Sequence, residues 1–127
     1  MYLNAVENNF PLLAVSWLLA FILMVIAEPI AEELVFQGIL LPALRNSLGA
    51  WGGYIVSAAL FGLFHLMVYS SPNSDIVTLW YGLFLPFFAG LVFAAVRLYT
   101  GSTRAAVITH AAFGLFALVN LLTLVGK

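Results

Sequence analysis

The sequence predicts an all-α fold, a polytopic transmembrane bundle of about four to five apolar helices. Hydrophobic residues make up 65% of the 127 residues and charged residues only 7%, whereas soluble domains are roughly 45–50% apolar and about 25% charged. The chain also contains several apolar runs near the roughly 20 residues that a helix needs to cross a hydrocarbon core of about 30 Å. Runs of that length and continuity fit helices rather than strands.

Composition and charge also bound the domain count and the partners. No Pro/Gly/Ser-rich linker, charge block or internal repeat divides the chain, so we expect one membrane-embedded domain over residues 1–127. A net charge of −1 provides no basic patch, and no nucleic-acid partner is expected. The absence of cysteine excludes disulfides and thiolate metal sites.

The first two apolar runs differ in length. Phe10 to Ala27 is expected to be a retained span, because a secretory signal peptide would carry Lys or Arg before the apolar run and this one carries Glu7. The second run, about Pro29 to Arg45, starts with a proline at a plausible first helical position. It is short for a membrane crossing.

The other three runs have the length of full spans, and the short segments between them are rich in Ser, Thr, Asn and Gly. Short connections predict antiparallel neighbouring helices, and Pro86 is expected to kink its helix. These three runs are Trp51 to Tyr69, Ile76 to Tyr99 and about Ala105 to Val125.

Two adjacent acids, Glu32 and Glu33, lie inside the second apolar run. An ionisable group within a span costs roughly 2.5–3.5 kcal/mol on insertion scales, which indicates a functional polar cavity. Successive helical residues point about 100° apart, and Glu33 lies over Gln37 one turn later. We therefore expect Glu32 to carry the chemistry and Glu33 to support it. The alternative places both at the headgroup level near a helix N-terminus, where carboxylates interact favourably with the helix dipole.

Two histidines, His65 and His110, occur in separate apolar runs. Phe61 lies one helical turn before His65 and places an aromatic ring on the same face. Either histidine alone fits an interfacial residue or a packing contact between helices. Together with the two acids, they favour one shared site.

The polar residues form three ordered motifs, Glu32-Glu33-x-x-x-Gln37, Phe61-x-x-x-His65 and His110-x-x-x-Gly114. These motifs resemble Glu-Glu-x-x-x-Arg, Phe-x-x-x-His and His-x-x-x-Asn of the CAAX-processing and bacteriocin-processing (CPBP, or Abi) intramembrane proteases. The resemblance covers roughly residues 27–121, the motif-bearing core.

The resemblance implies a helical endopeptidase that hydrolyses a peptide bond of a membrane-associated protein or peptide. In this family pattern Glu32 and His65 would activate water while His110 steadies the oxyanion, with Glu33 in support. A variant makes Glu32, His65 and His110 the ligands of a zinc ion with an open water position. No His-Glu-x-x-His motif is present, so zinc stays an alternative cofactor and no other is expected.

Two positions depart from the family motifs. Gln37 replaces an arginine and cannot neutralise Glu33, and Gly114 replaces an asparagine and supplies no donor, a loss that typically costs about 10²–10³ in rate. These departures favour a second hypothesis, a catalytically degenerate accessory or binding subunit of a membrane complex. A third hypothesis is a proton- or ion-handling bundle in which the acids and histidines form a relay.

The expected partners are membrane lipids and a membrane protein or peptide substrate, with a homo-oligomer or a larger membrane complex as further possibilities for so small a chain. A path with five crossings places Arg45, Arg97 and Arg104 on the side of the N-terminus, so the positive-inside rule predicts a cytoplasmic N-terminus. On that path the last helix starts on the side opposite Glu32. A shared site then requires Glu32 and His65 to lie deep, the last helix to start closer to their level, or strong helix tilts.

Overall fold

The computed structural model describes residues 15–69 and 75–125, and within these ranges the chain is helical between short turns and has no strand. The all-α fold class is therefore confirmed. The first residues of the predicted Phe10 to Ala27 span, most of the predicted turn before Asp75, and Lys127 lie outside the described ranges. The helices are α1 (residues 15–48), α2 (residues 50–69), α3 (Ile76–Thr100) and α4 (Thr103–Val125).

Helix α1 joins the first two predicted segments into one. The predicted break between Ala27 and Pro29 is wrong, because the backbone stays helical from residue 15 to the residue before Gly49. Within the described chain the path therefore has four helices, and residue 15 and Arg45 lie at opposite ends of α1. The five-crossing path that placed the N-terminus beside the three arginines does not hold for this part of the chain.

Wider turns before the prolines explain how the helices continue without a break. Each of the three prolines within the described helices follows a wider π-helical segment that ends two residues earlier. In an α-helix, a proline cannot donate a hydrogen bond to the carbonyl four residues earlier, and its ring collides with that carbonyl. A wider turn before the proline moves this carbonyl away and accommodates the ring. The pairs are Ile22–Ala27 with Pro29, Leu34–Leu40 with Pro42, and Trp80–Phe84 with Pro86.

A sharp turn at Gly49 folds α2 back along α1. Gly49 has φ 81° and ψ 177°, a conformation that only glycine adopts readily. Four residues later, a Cβ on Gly53 would lie 2.7 Å from the backbone nitrogen of Arg45, which shows how closely the two helices approach after the turn. The predicted antiparallel arrangement of neighbouring helices holds here.

Helix α3 packs against α2 and completes the core. The Asp75 side chain caps its start by accepting a 2.8 Å hydrogen bond from the Thr78 N–H, and Tyr54 of α2 donates a 3.0 Å hydrogen bond to the Leu91 carbonyl. The helix ends at Gly101, which has φ 69°. The core of α1, α2 and α3 is an aromatic cluster of Phe36, Phe61 and Phe93.

Helix α4 runs antiparallel to α1 and starts well inside the Arg45 end. Gly38 of α1 lies beside the Thr103 side chain, and Gly114 further along α4 contacts Met24. Because α4 starts beside Gly38, His110 in its first half lies at the level of the two acids, which is one of the arrangements that the sequence left open. By length and composition, α3 and α4 are each able to cross a membrane.

Candidate active site

Glu32 and Glu33 lie in the middle of α1, on the α-helical turn Glu28–Glu33 between two wider segments. Glu32 is 6% exposed and Glu33 is completely buried. They do not occupy a helix N-terminus, so the interpretation of both acids as headgroup-level residues beside a helix dipole does not fit the structure. Their burial means that their carboxylates must be satisfied by protein groups or by what the site binds.

His65 points one nitrogen at each of two oxygens. Its Nδ1 is 2.8 Å from the Phe61 carbonyl oxygen, which can only accept, so this nitrogen carries the hydrogen and donates it. Its Nε2 is then directed at Glu32, with 3.3 Å between Nε2 and Oε2. A proton shared between these two atoms accounts for the contact.

His110 also directs its two ring nitrogens at two oxygens, but here the partner of Nδ1 is a carboxylate. Its Nδ1 lies 2.8 Å from Glu33 Oε1, and its Nε2 lies 3.7 Å from Glu32 Oε2. The ring stacks on Phe93, with centroids 4.5 Å apart and planes 17° from parallel. The Glu33 carboxylate therefore fixes the orientation of the His110 ring through Nδ1, on the side of the ring away from Glu32. The Gln37 side chain also interacts with this carboxylate.

The two imidazoles converge on a single carboxylate oxygen. Both Nδ1 atoms are held by acceptors, and both Nε2 atoms face Glu32 Oε2. Such a set offers a general base and two imidazoles to a water that binds beside them. It also suits zinc, because metal-ligating histidines usually donate their other ring nitrogen to a carboxylate or a carbonyl.

A groove leads from this cluster to the surface between α3 and α4. It is a cavity of about 550 Å³ lined by the rings of His65 and His110, by Gly114, and by apolar and aromatic side chains such as Phe88 and Phe116. Its size lies within the roughly 300–1,000 Å³ of small-molecule sites. An apolar groove with two imidazoles in its wall suits an apolar or membrane-embedded ligand.

A family model matches most of this chain. A family model described as type II CAAX prenyl endopeptidase Rce1-like matches residues 14–116, which include all three motifs. The chain belongs to the Rce1-like family. This confirms the resemblance to the CPBP intramembrane proteases and makes the protein a member of a membrane-embedded, CAAX-type protease family. No curated protein and no solved structure gives a significant match.

The Rce1-like motifs omit one acid of the site, Glu28. A carboxylate oxygen of Glu28, one of Glu32 and a ring nitrogen of His65 all lie within 4.8 Å of one another. The spacing Glu28-x-x-x-Glu32 places both acids on one helical face and is visible in the sequence. Glu28 was missed at the sequence level because the predicted break before Pro29 separated this residue from the helix that carries Glu32.

Gly114, at the position of the Rce1-like motif asparagine, has a packing role. A Cβ on Gly114 would overlap the Met24 carbonyl oxygen and lie 3.1 Å from the Met24 carbonyl carbon. Helix α4 thus touches the α1 backbone here, within the wider segment Ile22–Ala27. The residue is required for this close approach, and no side chain fits without separating the helices.

Proposed function

We propose that the protein is an intramembrane endopeptidase that hydrolyses a peptide bond of a membrane-anchored protein or peptide. The observation that carries this proposal is the convergence of two imidazole Nε2 atoms on Glu32 Oε2, at 3.3 and 3.7 Å, beside an apolar groove. The family match supports the same reaction class.

In the proposed reaction Glu32 acts as the general base. A water that enters beside the Glu32 carboxylate loses a proton to it as the water oxygen bonds to the substrate carbonyl carbon. The carbonyl oxygen becomes an oxyanion. When the carbon–nitrogen bond breaks, the leaving amine takes up that proton, from Glu32 directly or through His65 Nε2, so the site returns to its starting state.

His110 is proposed to stabilise the oxyanion. A neutral imidazole has one N–H, and in His110 the Glu33 carboxylate holds it at Nδ1. The Nε2 atom can therefore donate only when His110 and Glu33 together carry one additional proton. An imidazolium whose Nδ1–H is bound by the buried Glu33 carboxylate meets this condition. Glu33 thereby replaces part of what the family asparagine would contribute, because it strengthens the one donor that remains.

A zinc-dependent version of the same hydrolysis uses the same residues. Glu32, His65 and His110 would hold the ion, with Glu28 next to them. The acceptors behind both histidines fit this alternative. A bound zinc ion would supply Lewis-acid polarisation of water or carbonyl.

The degenerate accessory subunit and the ion-handling bundle explain less of the site. A binding scaffold has no need for two buried carboxylates and two imidazoles held at hydrogen-bonding distances inside an apolar protein, since each such group is costly there. A relay would need further polar groups along a path, whereas the groove beside the histidines is apolar.

The groove and the family description together favour a lipidated substrate. We propose a peptide with a prenylated cysteine near its C-terminus, whose lipid occupies the apolar groove between α3 and α4. Arg45, Arg97 and Arg104 lie toward the end where α1 and α3 terminate, so the positive-inside rule makes that end cytoplasmic. Residue 15 then lies on the opposite side, whereas the path with five crossings had placed the N-terminus on the side of the arginines.

Cleavage by the purified protein in nanodiscs tests this proposal. Wild type, Glu32→Gln and His65→Gln are compared on a prenylated and an unprenylated fluorogenic peptide, with and without a chelator. Asp75→Asn, an exposed acid at the start of α3, is the matched control. We expect cleavage by wild type and by the control and at least a 10³-fold loss in both site variants, roughly the scale that removal of a catalytic group produces. Cleavage that survives Glu32→Gln would refute the assignment of the base.

A further inference from the structure

A second polar site lies far from the acids, where α1 and α3 end. Arg45, Asn46 and Arg97 line a cavity of about 180 Å³ together with Leu41, Pro42 and Leu98. The volume corresponds to roughly six waters at about 30 Å³ each. Two guanidinium groups that face one small cavity repel each other unless an anion lies between them.

Neither arginine has a counter-ion within the described residues. The acids of α1 belong to the candidate active site, and Asp75 lies at the other end of α3. Among the residues that the structure describes, no ion pair or hydrogen bond engages the side chain of Arg45 or of Arg97, and the buried Nε of Arg97 has no partner. Cations do favour the last turn of a helix through its dipole, but this does not satisfy a buried guanidinium nitrogen.

The donors suit a phosphate group. Each guanidinium presents a planar fork that matches two oxygens of a phosphate, and the Asn46 amide adds a further donor. Carboxylate ligands would fit one fork, whereas a phosphate has enough oxygens for both. Basic pockets between transmembrane helices at the cytoplasmic side are typical sites for anionic lipid headgroups.

An apolar groove adjoins this cavity. It offers space for an acyl chain, which a lipid has and a free ion does not. Ala50, Trp51, Tyr54 and Ala95 line a space of about 410 Å³ between α2 and α3, and Leu98 borders both cavities. Trp51 lines this groove and is 76% exposed. We infer that the paired cavities bind an anionic phospholipid, with its phosphate between Arg45 and Arg97 and an acyl chain along Trp51.

Quenching of Trp51 fluorescence by brominated lipids tests this inference. Trp17→Phe and Trp80→Phe leave Trp51 as the reporter, and the protein in detergent is titrated with brominated phosphatidylglycerol or brominated phosphatidylcholine. We expect phosphatidylglycerol to quench at lower concentration. Arg45→Gln and Arg97→Gln should each raise its half-quenching concentration about fivefold, the contribution typical of one basic residue at an anionic surface.

Arg104→Gln is the matched control, because it removes the same charge near the start of α4 but lines neither cavity. An equal shift in Arg104→Gln, or equal quenching by the two lipids, would overturn the inference in favour of unspecific surface charge. Inorganic phosphate that displaces phosphatidylglycerol at millimolar concentration would overturn the lipid assignment in favour of the free ion. Arg45 is exposed, so Arg45→Gln keeps the test valid if Arg97→Gln fails to fold.

Discussion

His110 and Glu33 connect α4 to α1 through a 2.8 Å contact between Nδ1 and Oε1, in which the Glu33 side chain is completely buried and the His110 side chain is 12% exposed. The contact sets the ring so that its second nitrogen faces Glu32. In the proposed function, Glu33 is therefore a positioning residue that acts on the site through His110. The residue at the position of the family arginine is Gln37 here, so the described contacts of this carboxylate are with the His110 imidazole and the Gln37 side chain.

Replacement of Glu33 separates its orienting role from its charge. Glu33→Gln keeps an acceptor for the His110 Nδ1–H but loses the charge that favours the imidazolium, and Glu33→Ala loses both. Changes to groups that orient active-site histidines typically cost 10–100-fold. We expect kcat to fall about 10-fold in Glu33→Gln and about 100-fold in Glu33→Ala, with KM unchanged.

Steady-state kinetics on the prenylated peptide measure both constants. Gln37→Leu, which removes a neighbouring interaction with the same carboxylate but no charge, is the comparison variant. A rise in KM with constant kcat in the Glu33 variants would contradict the positioning role, because it would place Glu33 in substrate binding.

Removal of metal distinguishes the two versions of the hydrolysis. In the proposed mechanism Glu32 itself takes the proton from water, and no resident metal takes part. We therefore expect dialysis against a chelator to leave the cleavage rate within a factor of two of the untreated protein, as measured with metal analysis of the same sample. Rate loss that only zinc restores would contradict this expectation and support the zinc-dependent version.

Glu28→Gln extends the metal test. If a metal binds, the closeness of Glu28 to Glu32 and His65 makes it a ligand or a direct neighbour of one, and its loss should weaken zinc binding by about 10–100-fold. If the protein works with glutamate-activated water, Glu28→Gln should lower kcat much less than Glu32→Gln. Zinc titration and cleavage assays on the same two variants give the answer.

The sequence predicts the residues of the site better than it predicts where the helices that carry them begin and end. Composition and run length predict an all-α membrane fold, and the order of the motifs brought together Glu32, His65 and His110 as candidates. The break at Pro29 was wrong because a proline marks helix starts only when the preceding turn cannot widen, and this helix widens before each of its prolines. The start of α4 beside Gly38 depends on tertiary packing, which no local pattern encodes.

The turn at Gly49 should tolerate no side chain without loss of stability. A residue with a Cβ pays about 1–3 kcal/mol in this backbone region, although there is open space around the position. We expect Gly49→Ala to lower the melting temperature in detergent. Gly38→Ala, a glycine with ordinary surroundings and a helical backbone, should change it much less. Equal melting temperatures for wild type and Gly49→Ala would show that the turn adopts another conformation.

Gly114 invites the opposite experiment, the restoration of the family asparagine. The motif alone predicts that Gly114→Asn would supply the missing oxyanion donor and raise kcat. The structure predicts a loss instead, because even a Cβ overlaps the Met24 carbonyl oxygen, and overpacking of this kind typically costs about 1–3 kcal/mol. Separation of α4 from α1 would also pull His110 away from Glu33.

We therefore expect Gly114→Ala and Gly114→Asn to lower both the melting temperature and kcat, with Gly114→Asn the worse of the two. Gly38→Ala, at the other contact between α1 and α4, is the control, since a Cβ there meets Thr103 at an ordinary 3.7 Å. Higher kcat in Gly114→Asn at an unchanged melting temperature would show that α4 can move away from Met24. The glycine would then be a lost donor, as the motif suggests, and its close contact with α1 would be a consequence of that loss.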